Sequence, residues 1–380
     1  MMCRTAVVQA VLWSLALSAC SSLNPFAREV RNKPAELTAF KATAEVRSLW
    51  RERLSAADNH VFTPAVAGGS VYAAGADGAL ARFDEGKVVW RIQVGQALSG
   101  GVGSNGRLVV VGTAKGEVLT FDAANGKPLW RAQVSSEILA APTVGDGVVI
   151  VRSGDARIFA FEANDGKRRW VYQRNTPTLS LRSHVGVVLG GRAILAGFPG
   201  GKLVALSPAN GGALWEGAVA LPKGTTELER VADLTSVPVV YGSQVCAVAY
   251  QGRVACFELS NGSLLWSRDV SSVAGLDVDQ KGVYVSDEKG TVLAFDRQSG
   301  SSLWKQDRLS YRGLSRPLAL GHHIIVADRS GIVHLLRQED GGFAARFETD
   351  GSPVLADPQS YQGGAVVQTQ DGSLYALSMK

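Results

Sequence analysis

No run in this 380-residue chain is apolar for long enough to cross a membrane as a helix. Beyond the first twenty residues no stretch keeps a helical period for long, which leaves β-structure to build the core. Histidine is scarce. The five (60, 184, 322, 323 and 334) show no metal-ligand spacing, and the adjacent pair His322-His323 would point to opposite faces of a strand. No Ser-His-Asp order and no phosphate-cradling glycine loop stands out, and among 43 glycines a chance pattern carries little weight. Charge of one sign is also weak. The formal net charge is +5, and the basic residues are dispersed through loops rather than gathered into the footprint of a nucleic-acid binder. No catalytic set, metal, cofactor or nucleic-acid partner is expected from these residues.

What the chain has in quantity is repetition. Gly116 to Trp130, GEVLTFDAANGKPLW, is a glycine, a short β-prone run, an Asn-Gly turn whose residues accept positive φ, and a tryptophan four residues after that glycine. The β-prone run recurs eight times, at Leu80–Phe83, Val118–Phe121, Ile158–Phe161, Leu203–Leu206, Val254–Phe257, Val292–Phe295, Val333–Leu336 and Leu374–Leu377. Glycine stands two residues ahead of seven copies, with Ala156 in its place in the third. Tryptophan follows at 90, 130, 170, 215, 266 and 304, and Ala345 takes that place in the seventh copy. Spacings near 40 residues fit one four-stranded blade per repeat, and blades stacked face on face explain the continuous apolar runs. The eighth copy lacks a tryptophan strand after it, while an orphan Trp50 sits in Glu45–Arg51 ahead of the first. The expected fold is therefore all-β, an eight-bladed propeller over 45–380 of four-stranded antiparallel blades, with the N-terminal strand completing blade eight so that no sheet edge is left open.

Residues 1–19 read as a secretory signal, with Arg4 ahead of a short apolar run through Leu17. The sequence Leu17-Ser18-Ala19-Cys20 resembles a bacterial lipobox, which implies that Cys20 carries a diacylglycerol. Ser21 is compatible with sorting to the outer membrane. Residues 20–44, with Pro25 and Pro34, read as a flexible tether. Cys246 and Cys256 fall on neighbouring strands of blade five. Buried thiols are the expected state, with a cross-strand disulfide as the alternative if the two lie directly opposed.

The stretch Phe121-Asp-Ala-Ala-Asn-Gly-Lys-Pro-Leu-Trp130 resembles the tryptophan-docking repeat of pyrroloquinoline-quinone (PQQ) dehydrogenases, which implies eight blades. Those enzymes hold PQQ and calcium through an acidic set and often a vicinal cysteine pair, and neither is apparent here. Lipobox, tether, blades and closure together resemble more closely the BamB family, lipoproteins of the bacterial outer-membrane β-barrel assembly machinery. Two irregular segments carry that resemblance, Asn175-Thr-Pro-Thr-Leu-Ser-Leu-Arg182 and Thr225 to Pro238. The resemblance implies a non-enzymatic scaffold on the periplasmic face of the outer membrane, whose Leu179, Leu181, Arg182 and Asp233 bind the periplasmic domains of BamA. Thr235 stands where the family often has a second Asp. The bland alternatives are leucines packed on their own blade and an Asp233 bonded to its own backbone. Exposed outer strands would also suit unfolded outer-membrane protein clients, by β-augmentation. A PQQ-type dehydrogenase and a periplasmic polymer-binding propeller are the rival functions.

Overall fold

Each copy of the repeat becomes one antiparallel sheet. The computed structural model describes residues 32–380, and among them are thirty-three strands and no helix. Eight sheets form the blades of a propeller. Blade two runs Gly100–Ser104, Leu108–Gly112, Glu117–Asp122 and Pro128–Gln133, in chain order from the inner strand outward. Its second strand is wholly buried because it is covered on both faces, whereas the outer strand alternates toward solvent. A short piece, Val61–Phe62, adds to this blade by pairing parallel with Gly100–Gly101, which the repeat pattern did not anticipate.

Blade eight closes the ring as expected. Val46–Arg53 pairs antiparallel with Ser373–Met379, from Val46 opposite Met379 to Arg53 opposite Ser373, with a bulge between Ser48 and Trp50. The tryptophans join neighbouring blades. The Trp90 indole Nε1 donates to the Ala123 carbonyl at 3.0 Å, and the same bond recurs from Trp130 to Ala163, Trp170 to Pro208, Trp215 to Leu259, Trp266 to Arg297 and Trp304 to Gln338. In each case the ring lies flat against the turn glycine of the next blade. A Cβ at Gly126 would come within 2.9 Å of the Trp90 ring, so the glycine is needed for close approach as well as for its φ of 71°.

The Asn-Gly turn differs from the expectation in one respect. Only the glycine takes positive φ. Asp122 shapes the rest, its Oδ1 accepting from the backbone N–H of Ala124 and Asn125 while Gly126 N donates back to the Asp122 carbonyl. Ala156, the one exception to the glycine ahead of the third strand, adopts the left-handed conformation all the same, with φ 62°.

Two further expectations are corrected. Cys246 and Cys256 are bonded rather than free. They face each other directly across the second and third strands of blade five, with Cα atoms 4.1 Å apart, so both buried sulfurs reach one another without backbone movement. The stretch Ala35 to Ala44, expected to belong to the tether, instead packs along blade seven. Leu37 and Phe40 join the core between blades six and seven, and the backbone N–H groups of Thr43 and Ala44 both donate to the Ala344 carbonyl. The signal sequence, the start of the tether and Cys20 lie outside the described residues.

Candidate partner-binding site

Two of the connections between blades are irregular, and they meet. The first follows Arg168–Tyr172, the outer strand of blade three, and the second follows Ala213–Ala218, that of blade four. A repeat offers them no strand to pair with, so their backbone must be satisfied by side chains. Asp233 does this. Its Oδ2 accepts from the Leu181 N–H at 2.7 Å and its Oδ1 from the Gly200 N–H at 3.0 Å, while its own carbonyl accepts from Tyr250 N. The residue is 3% exposed. Asp233 therefore differs from the expected surface contact: both carboxylate oxygens are committed inside the fold, where an ionised acceptor makes strong bonds to backbone donors. Its place is to hold the Leu181 backbone.

Leu179 and Leu181 face solvent, 41% and 37% exposed. Arg182 is pinned from the other side. Its Nε and Nη2 donate in fork fashion to the two carboxylate oxygens of Glu137, at 3.0 and 2.7 Å. The guanidinium expected to meet a partner is thus engaged within the chain, although 58% of the side chain stays exposed. The pair lowers the Glu137 pKa, chiefly through the hydrogen bonds from Arg182. Nearby, burial brings the Arg152 guanidinium down to about 10, against the pull of Asp233, and it stays charged at neutral pH. Glu137, Arg152, Leu181, Arg182 and Asp233 line one cavity of about 260 Å³.

The second segment holds itself in shape. Thr226 Oγ1 accepts from Glu229 N at 3.2 Å and Glu229 Oε2 accepts from Thr226 N at 3.1 Å, a reciprocal Thr-x-x-Glu arrangement. It presents Leu228, 72% exposed. Sequence reading missed Leu228, although a lone leucine inside Thr-Glu-Leu-Glu-Arg is a visible signal. It also missed Glu137, which nothing in its own Ser-Ser-Glu connection marks out. Thr235, in the place of a second acid, donates its hydroxyl to the Val273 carbonyl at 3.3 Å. Among the described residues no cluster of three or more His, Cys, Asp or Glu side chains could hold a metal ion.

Comparison with known proteins adds to this geometry. A family profile described as outer membrane protein assembly factor BamB matches residues 79–306. A curated relative of that name from Nitrosomonas eutropha is 44% identical over 355 residues, 93% of this chain and 87% of its own. Among solved structures, BamB from Moraxella catarrhalis is similar with a TM-score of 0.82 at 27% identity, over 88% of this chain and 100% of that one. Quinohemoprotein alcohol dehydrogenase from Comamonas testosteroni reaches a TM-score of 0.70 at 14% identity, over 87% of this chain and 76% of that one, a likeness of fold alone.

Proposed function

This chain belongs to the BamB family of outer membrane protein assembly factors, and from that premise we propose that it is a non-enzymatic scaffold of the bacterial outer-membrane β-barrel assembly machinery. Its partner is the periplasmic portion of BamA. Leu179 and Leu181 supply the apolar anchors, Arg182 the cationic rim, and Asp233 the fixed backbone beneath them. The observation that carries this reading is the pairing of two solvent-facing leucines with a buried carboxylate that holds the Leu181 amide. Apolar side chains on a preorganised loop lose little freedom on binding, which is how a small patch supports a specific interface.

Leu179→Ala and Leu181→Ala should each change folding stability by no more than about 0.5 kcal/mol and weaken binding to the BamA periplasmic domains by about 2 kcal/mol or more. Melting temperature and affinity measured on the same proteins decide the matter. Intact binding by both variants sinks the assignment, and a fall in binding that only tracks a fall in melting temperature returns the leucines to a packing role. Asp233→Ala should behave differently, loosening the loop and costing both stability and binding.

Attachment to the outer membrane follows from Cys20. Cys20→Ser should leave the propeller folded and release it into the soluble periplasmic fraction, because acyl chains supply the membrane affinity. Retention of a processed Cys20→Ser protein on membranes would mean that protein partners do the anchoring.

A further inference from the structure

The groove between blades one and two is built from the same repeat positions as the groove that the chain's own segment 35–44 fills between blades six and seven. With Trp90 matched to Trp304, Val94 and Gln96 correspond to Arg308 and Ser310 on the near wall. With Gly126 matched to Gly341, Pro128, Leu129 and Arg131 correspond to Phe343, Ala344 and Arg346 on the far wall.

In the filled groove every one of these far-wall positions is used. Phe40 packs on Phe343 with ring centroids 5.4 Å apart. The Arg346 guanidinium lies over both rings, at 4.8 and 4.5 Å, and its Nη1 donates to the Thr38 carbonyl at 2.8 Å. At the near wall Ala35 N donates to the Ser310 carbonyl at 2.8 Å. Ala344 is fully covered as a result. Between blades one and two the same walls enclose about 810 Å³, lined by Ile92, Leu119, Phe121, Leu129 and Trp130, and Leu129 is 53% exposed. Not every interblade groove is open in this way. Between blades three and four, Arg174 and Glu216 bridge the walls at 3.0 Å. Val94 and Arg131 hold those two repeat positions here and cannot form that pair.

We propose that the open groove is a docking site for an extended segment of another polypeptide chain, carrying an aliphatic and an aromatic side chain three residues apart, as Leu37 and Phe40 are. Leu129, Trp130 and Ile92 receive the apolar side chains. Arg131 repeats the part of Arg346, donating to a main-chain carbonyl of the incoming segment and covering its aromatic ring. The site is separate from the loop face around Leu181 and stands or falls independently of it.

The probe is a fluorescent peptide with the sequence of residues 35–44, titrated into the complete mature protein and followed by anisotropy. Saturable binding is expected, weakened at least about tenfold by Leu129→Glu or Arg131→Glu, with melting temperature unchanged because both side chains are exposed. A peptide with alanine in place of its leucine and phenylalanine should not bind. Absence of saturable binding to the wild-type protein overturns the proposal. So does binding that both groove variants leave untouched, since the peptide would then be competing for the groove of blades six and seven, or equal binding by the alanine peptide.

Discussion

Trp50→Ala should lower the unfolding free energy by about 3 kcal/mol, near the low end for truncating a buried aromatic residue because the ring is only partly covered. Trp50 is the joint between blade eight and blade one. Its ring stacks on Phe83 at 6.1 Å and meets Tyr361 edge-on at 5.9 Å, and a Cβ at Gly86 would come within 2.6 Å of it. The six tryptophans of the repeats hold their neighbours by a hydrogen bond as well as by area. Trp50 Nε1 is buried without a partner, so this tryptophan holds its neighbour by packing alone. Removing Val46–Arg53 altogether should go further, stripping the edge of Ser373–Met379 and turning a soluble ring into an aggregating one. Denaturant titration of the point variant and sedimentation of the deletion check the two. A loss under about 1 kcal/mol with a monomeric deletion protein would mean the ring does not depend on this closure.

Asp328→Ala should cost about 3–5 kcal/mol, the loss typical of breaking a buried ion pair from one side. Asp328 is fully buried in blade seven. One oxygen accepts from Ser330 N and Ile332 N, and the other from Arg312 Nε at 2.5 Å and His334 Nε2 at 3.0 Å. The network continues outward, because Arg346 Nε donates to His334 Nδ1 at 3.3 Å, which leaves His334 neutral with its proton on Nε2. Arg312 and Arg346 in turn donate to the carbonyls of Ala35 and Thr38. Losing the carboxylate therefore leaves two arginines without their countercharge and loosens the segment that they hold.

The same cluster sets an acid limit. Burial holds the His334 pKa below its ordinary value, against the pull of Asp328. Burial works to raise the Asp328 carboxyl, but the bond from His334 and those from its other donors bring it below the ordinary value. In both cases the unfolded chain binds the proton more readily than the native one. The contribution is thus complete above about pH 6.5 and is lost as pH falls, first through the histidine and then through the carboxylate below about pH 4. Melting temperature plotted against pH should show a first decline below about 6.5 that His334→Gln reduces, the remainder coming from His184 and His323, whose pKa values burial also lowers. A wild-type curve flat from pH 7 to 5 would contradict this.

The architecture was legible in the sequence because each blade is specified locally. A glycine, a β-prone run, a turn and a tryptophan lie within fifteen residues, and eight copies leave few other ways to arrange them. What escaped depends on neighbours distant in sequence. Asp233 sits in a polar loop and looks like a surface acid, yet its acceptors are used by amides 52 and 33 residues away. Glu137 becomes part of the candidate site only because Arg182 reaches it from 45 residues along the chain. The segment 35–44 reads as a flexible tether, and only distant residues such as Phe343 and Arg346 turn Leu37 and Phe40 into half-buried packing residues. The cysteines needed the strand register, which places position 246 opposite 256.

The pairing of Val46–Arg53 with Ser373–Met379 also sets a timetable. The two strands that lock the ring stand at opposite ends of the described chain, with Trp50 opposite Ala376. If residues 1–19 export the chain N-terminus first, the first strand reaches the periplasm before its partner does. During that interval the other blades can stack one by one, each tryptophan finding the turn that follows it, but the ring stays a broken arc with an unpaired strand at its start. Whatever keeps that strand from pairing elsewhere in the meantime, whether a chaperone or the speed of the last blade, guards the yield of the folded protein.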